Sequence, residues 1–198
     1  MKRVIAVTGG IACGKSTVAR FLLELGCGVL DTDDVAHRLQ APSGSAVAEI
    51  AARFGAGILA PDGSVDRRRL GAVVFSDAAA LADLNAIMHP RIAREVSQWV
   101  AARPEGTVSA VLVPLLFEAG LDASLEWDAV VAVVCSPAEQ LRRICGRGFR
   151  EEEARARIAA QMPCEEKAAR SDYVIENDGT LAALKKEVAR VLRAICPS

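Results

Sequence analysis

The run Val4-Ile5-Ala6-Val7-Thr8 passes directly into Gly9-Gly10-Ile11-Ala12-Cys13-Gly14-Lys15-Ser16-Thr17, and this junction decides the fold. The first segment is apolar at nearly every position, as a strand covered on both faces must be. From residue 16 to about 25 the spacing becomes helical. Between them, Gly9 to Ser16 satisfies G-x-x-x-x-G-K-[S/T] at every fixed position, in the strand, loop, helix order that the motif needs. Glycines let successive backbone N–H groups turn toward phosphate oxygens, and the helix N-terminus adds partial positive charge. Lys15 is placed to meet the β- and γ-phosphates of a nucleoside triphosphate, and Ser16 to offer its hydroxyl to Mg²⁺. A plain tight turn is the alternative, but it leaves Lys15 unexplained. Cys13 sits where a helix N-terminus can lower a thiol pKa; packing is the competing role.

Working outward, further short apolar strands are predicted at 29–30, 108–113, 129–135 and 173–175, alternating with helical stretches and a last helix over 181–195. That alternation predicts an α/β fold, a parallel sheet covered by helices. Residues 35–103 hold no convincing strand. They are Ala-rich and helical in pattern, with breaks expected at Pro42-Ser43-Gly44, at 55–63 and at His89-Pro90. The expected organisation is a nucleotide-binding core of residues 1–34 and 104–198, including a lid at about 147–157, with a helical insertion at 35–103.

The 198-residue length suits one domain carrying an insertion, and 52% hydrophobic residues exclude disorder. A net charge of −1 argues against a general nucleic-acid binder or a polybasic membrane binder. Six cysteines without a C-x-x-C pair, and only two histidines, make a zinc cluster improbable. The apolar run before Gly9 is too short for a signal peptide, and no other stretch is long enough to span a bilayer. The expectation is a soluble, cytoplasmic protein acting on small molecules.

The phosphate loop alone does not say what becomes of the triphosphate. The strands at 108–113 and 129–134 run into Pro114 and Cys135 rather than an aspartate, and no N-K-x-D guanine reader is present. Motor ATPases and GTP switches lose ground; small-molecule kinases gain. A kinase needs a carboxylate to orient the acceptor hydroxyl and take its proton. Asp31, Asp33 and Asp34 follow the second strand, where ligands of open α/β sheets bind. Asp33 is the leading base, although any of this group, or Thr32, also suits a helix cap. Residues 140–157 carry six arginines against three glutamates, interrupted by Gly146 and Gly148. This composition suits a lid that closes on phosphates. Arg143 and Arg147, four apart, share a helical face, whereas Arg155 and Arg157 fit a solvated face.

The segments TGGIACGKST, LGCGVLDTDDVA, FGAGILAPDGSVDRRRLGAVVF, IMHP, VPLLFEAGL, QLRRICGR, AAQM and SDYVIENDG together resemble the dephospho-CoA kinases, in family order and over nearly the whole chain. The resemblance implies a P-loop kinase core, with residues 35–103 as its helical acceptor-binding insertion, and Mg²⁺- and ATP-dependent phosphorylation of the ribose 3′-hydroxyl of dephospho-CoA, the last step of coenzyme A biosynthesis. It implies nucleotide contacts from Gly10, Ile11, Ala12, Cys13, Gly14, Lys15, Ser16, Thr17, Arg147 and Asn177, with Ser16 on the metal. It places Thr8, Asp33, His89, Pro90, Leu115 and Leu116 at the acceptor, and Asp33, Lys15 and Arg142 in catalysis. Ala12-Cys13, Thr32 and Asn85 depart from the family's usual residues without removing a group that the chemistry needs. From the residues alone, His89 equally suits a structural helix end, and Leu115 and Leu116 equally suit core. A kinase for another nucleoside or nucleotide, or a non-catalytic nucleotide sensor, remains open at this stage.

Overall fold

The structure, a computed structural model, describes residues 2–196. The chain separates into two compact units: Asp31–Trp99, and the remainder on either side, through Leu30 and from Val100. The larger unit is built on β1 (Arg3–Gly9), β2 (Gly28–Asp31), β3 (Val108–Leu112), β4 (Ala129–Val134) and β5 (Tyr173–Glu176). Their order is β2-β3-β1-β4-β5, with β1 parallel to both β3 and β4, and β4 parallel to β5. Each strand lies within two residues of its expected bounds, because fully buried strands are contiguous apolar runs that local sequence exposes directly.

Helices α1 (Lys15–Glu24) and α10 (Leu181–Ile195) cover one face of this sheet. Leu184, Val188, Val191 and Ile195 recur at helical spacing and pack with Val18, Phe21 and Leu22 against Ile5, Val7, Val131 and Ile175. The β1 crossover leads to β2 on one side of the sheet, and β4 leads to β5 on the other. The crevice between departing connections therefore opens at the carboxyl ends of β1 and β4. There Gly9 pairs with Val133 at a φ of 145°, and a Cβ at Gly9 would stand 2.0 Å from the Val133 carbonyl oxygen. Only glycine permits that approach.

The smaller unit is helical: α2 (Thr32–Gln40), α3 (Val47–Phe54), α4 (Arg67–Val74) and most of α5 (Ala78–Ala101), with one antiparallel bridge, Leu59 to Val65. Two expectations need correction. The division falls at Asp31 and Trp99 rather than after residues 34 and 103. Asp31 caps α2 by accepting the Asp33 amide at 2.9 Å, so the acidic turn belongs to the helix it starts. And His89-Pro90 does not break the chain: both lie inside α5, which is 24 residues long. Proline removes the ladder donor to residue 86 only; one position on, the Arg91 guanidinium folds back onto the Ile87 carbonyl at 2.7 Å and also binds Glu49.

The rest of the larger unit contributes α6 (Leu121–Ser124), α7 (Pro137–Cys145), α8 (Glu151–Ala159) and α9 (Cys164–Ala169). Among the described residues, no helix is long and apolar enough to cross a membrane.

Candidate active site

The phosphate loop is held by its carbonyls. Lys15 Nζ donates to Gly9 and Gly10 oxygens at 2.8 and 2.9 Å. Gln140 Nε2 donates to Ile11 at 2.9 Å, Arg143 to Ala12 at 3.2 Å, and Asn177 Nδ2 to Cys13 at 2.8 Å. Five consecutive carbonyls are therefore occupied by side chains. The Ile11 amide is anchored on Gln161 Oε1 at 2.8 Å, while the amides of Ala12, Gly14 and Ser16 face no protein acceptor among the described residues. Ala12 and Gly14 both have positive φ, 61° and 100°, so the backbone alternates as an anion-binding nest requires. Gly14 then hands over to α1, whose N-terminus adds its dipole.

Cys13 is fully buried at this loop, 3.5 Å from the Cys135 sulfur and 3.6 Å from that of Cys164. The hydrogen bond with Cys135, together with burial, pushes the Cys13 thiol up to about 11, against a lowering by Cys164. The helix N-terminus therefore does not activate it; its role is packing.

The arginine cluster resolves by direction. Arg142 is 72% exposed and is spent on Glu139, to which it donates at 2.7 and 2.6 Å. Arg143 turns inward, bridging Glu139 at 2.6 Å, the Ala12 carbonyl and the Asn177 carbonyl at 2.7 Å. Arg142 first, then Arg143, hold the Glu139 carboxyl down to about 2. The reading of the sequence missed Arg143 as the loop-facing residue. The available signal was the spacing of Gln140 and Arg143 on one helical face, from which Arg142 lies well round the helix; Arg147 does not share that face as expected, because α7 ends at Cys145. The Arg147 side chain is exposed and makes no hydrogen bond or ion pair among the described residues, while its amide donates to the Ile144 carbonyl at 3.0 Å. Arg155 pairs with Glu151 at 2.7 Å, and Arg157 lies 4.3 Å from the Phe149 ring centre, as their solvated-face reading anticipates.

Thr8 is fully buried, its hydroxyl 3.4 Å from the Pro114 carbonyl. Leu115 is exposed, whereas Leu116 is wholly buried and serves as core. Asn177 ends the strand side of the loop clamp, and Asp178 accepts from Ser136 at the start of α7, at 2.6 Å from its hydroxyl. Thr17 occupies the first turn of α1, and Ser16 presents an exposed hydroxyl with no protein partner among the described residues.

In the smaller unit, the capping role of Asp31 leaves the Asp33 carboxylate exposed and without a side-chain partner among the described residues. His89 is half-buried in α5, and burial holds its imidazole below the ordinary 6.5. Pro90 beside it is exposed.

A parallel sheet with β1 at its centre, a clamped G-x-x-x-x-G-K-S loop at the carboxyl end of that strand and an arginine behind it define a P-loop kinase. The dephospho-CoA kinase family model matches residues 3–183. Curated dephospho-CoA kinases from Symbiobacterium thermophilum and Anaeromyxobacter dehalogenans are 42% and 46% identical, over 98% and 96% of this chain and 82% and 90% of theirs. The chain belongs to the dephospho-CoA kinase family. Among solved structures, a Thermus thermophilus protein superposes with a TM-score of 0.82 at 36% identity, covering 98% of this chain and 97% of its own. The dephospho-CoA kinase of Campylobacter jejuni gives 0.63 at 27% identity, with the same coverage. A shikimate kinase from Bacteroides thetaiotaomicron, at 17% identity and TM-score 0.54, shares the fold alone.

Proposed function

We propose that this chain transfers the γ-phosphate of ATP to the ribose 3′-hydroxyl of dephospho-CoA, yielding CoA and ADP. The observation that carries this reading is the loop whose carbonyls are all taken from Gly9 to Cys13 while the Ala12, Gly14 and Ser16 amides are left for an anion. Such preorganised donors stabilise transferring phosphoryl charge without reorganising during the reaction. Lys15 moves its ammonium from the Gly9 and Gly10 carbonyls to the β/γ-phosphates. Arg143 holds the loop from behind, and the unpaired Arg147 closes on the phosphates with the lid; Arg142, bound to Glu139, contributes less. Asn177 borders the adenine.

Asp33, unencumbered because Asp31 takes the cap, orients the acceptor hydroxyl and receives its proton. The helical unit binds the acceptor, with His89 and Pro90 among its contacts and Leu115 and Thr8 on the core side. Mg²⁺ fits the donor set: the exposed Ser16 hydroxyl is a hard oxygen ligand, and the described residues offer no cluster of three His, Cys, Asp or Glu to cage a metal. Mg²⁺ keeps several waters and relies on few protein oxygens beside substrate phosphates; Ser16 would hold it, and it would supply charge neutralisation at the phosphates. The six free thiols support a reducing compartment such as the cytoplasm, and the near-neutral charge supports a small-molecule substrate over nucleic acid.

The test is ADP formation from MgATP with dephospho-CoA, with AMP, with CMP and with no acceptor. Turnover confined to dephospho-CoA supports the reading. Turnover with another acceptor reassigns the substrate, and nucleotide binding without turnover makes the chain a sensor.

A further inference from the structure

Lys167, in α9, is the largest fully buried side chain among the described residues, with 0% exposure. Its ammonium is satisfied by three oxygens: the Pro114 carbonyl at 2.8 Å and the two carboxylate oxygens of Glu118 at 2.8 and 3.1 Å. The same Glu118 accepts the Met162 amide at 3.0 Å. Each partner leads to a different part of the site. Pro114 ends the β3 side of the crevice, and its carbonyl also lies 3.4 Å from the Thr8 hydroxyl. Met162 follows Gln161, whose side chain anchors the Ile11 amide of the phosphate loop at 2.8 Å. One ion pair thus joins the Thr8–Pro114 corner to the segment that grips the loop.

Its energetics are unusual for a purely structural device. Taking an ammonium and a carboxylate out of water is costly, and an apolar pair of similar volume commonly gives equal or greater stability. What an ion pair supplies and an apolar pair does not is a single register, since the ammonium must meet fixed oxygens at hydrogen-bond distance.

We propose that Lys167 and Glu118 are positioning residues for phosphoryl transfer, fixing the Thr8–Pro114 corner relative to the phosphate loop. The proposal rests on the kinase reading for its reaction, but its structural half is measurable without an acceptor. If the latch is lost, both substrates still bind while the reacting atoms are misaligned, and a displacement near 1 Å lowers turnover by about 10²-fold.

The experiment compares wild type with Lys167→Met/Glu118→Leu and with Lys167→Met/Glu118→Gln, which removes both charges together and keeps an acceptor for the Met162 amide should the first variant fail to fold. Tm, steady-state kinetics with MgATP and dephospho-CoA, and amide exchange of the peptide spanning residues 9–17 are read on each. The expected result is a Tm within about 3 °C of wild type, with kcat lower by about 10- to 100-fold and both KM values within about threefold. Exchange across the loop becomes faster in the same variants. Folded variants whose kcat stays within twofold of wild type overturn the proposal, as does a kcat loss that merely tracks a fall in Tm. Wild-type protein inactive toward dephospho-CoA overturns the kinase reading instead, and the exchange result alone then decides the latch: unchanged loop exchange refutes it.

Discussion

Asn177 donates its side-chain amide to the carbonyl of Cys13 at 2.8 Å, across 164 positions of sequence, and so ties the end of β5 to the phosphate loop. The contact is close enough that a Cβ at Gly14 would lie 2.3 Å from the same amide nitrogen. Replacing Asn177 by Leu leaves a buried carbonyl unpaired, which costs about 1–3 kcal/mol. Asn177→Leu is expected to raise the KM for ATP more than it lowers kcat, with a matching loss of Tm. Kinetics that leave the KM for ATP unchanged would show that the clamp does not shape the nucleotide site.

Arg142 and Arg143 are neighbours in sequence with opposite duties. Arg143→Ala removes donors to Ala12 and Asn177 carbonyls, whereas Arg142→Ala breaks an exposed ion pair worth little. The expected outcome is a fall of about 10- to 100-fold in kcat/KM for Arg143→Ala and less than about threefold for Arg142→Ala. Steady-state kinetics of the two single variants check this, and the reverse ranking would return catalysis to Arg142.

Much of this architecture can be read from short stretches. Strands 3–9, 108–112 and 129–134 are contiguous apolar runs, and Gly9 to Ser16 is a local motif, so neither needs knowledge of distant partners. What escaped depends on neighbours. Pro90 signals a helix end to any local rule, yet α5 runs through it, and the tertiary pairing of Arg91 with Glu49 beside it is invisible to local sequence. Of three aspartates, only the cap geometry shows that Asp31 is committed and Asp33 is not. Lys167 carries no local sign of burial; its partners lie 49 and 53 positions away.

Two glycines separate packing from backbone preference. Gly9→Ala drives a Cβ into the Val133 carbonyl, where backbone faces backbone and nothing flexible gives way, so this variant is expected not to accumulate as folded protein. Gly63→Ala, at a turn with φ of 82° and no atom within 4 Å of the added Cβ, loses only conformational ease, about 1–2 kcal/mol. Circular dichroism melts of the two, side by side, measure the difference.

Burial of His89 makes stability depend on pH in a definite direction. Its folded value lies below the ordinary 6.5, so the unfolded chain takes up the proton first as the solution is acidified. The contribution of this group is fully present above that ordinary value and declines as pH falls through it toward the depressed folded value. Tm is therefore expected to drop less between pH 8 and 5 in His89→Gln than in wild type, as read by thermal melts across that range. Parallel profiles would remove His89 from the account.

The most direct test of the central claim is single-turnover transfer from γ-labelled ATP to dephospho-CoA by wild type, Lys15→Ala and Asp33→Asn. Label appearing on the 3′-oxygen in wild type, with Asp33→Asn slower by about 10²–10⁴-fold at unchanged dephospho-CoA affinity and Lys15→Ala similarly impaired, is the predicted result. Transfer by Asp33→Asn at the wild-type rate, or no labelled CoA from wild type at all, would contradict it.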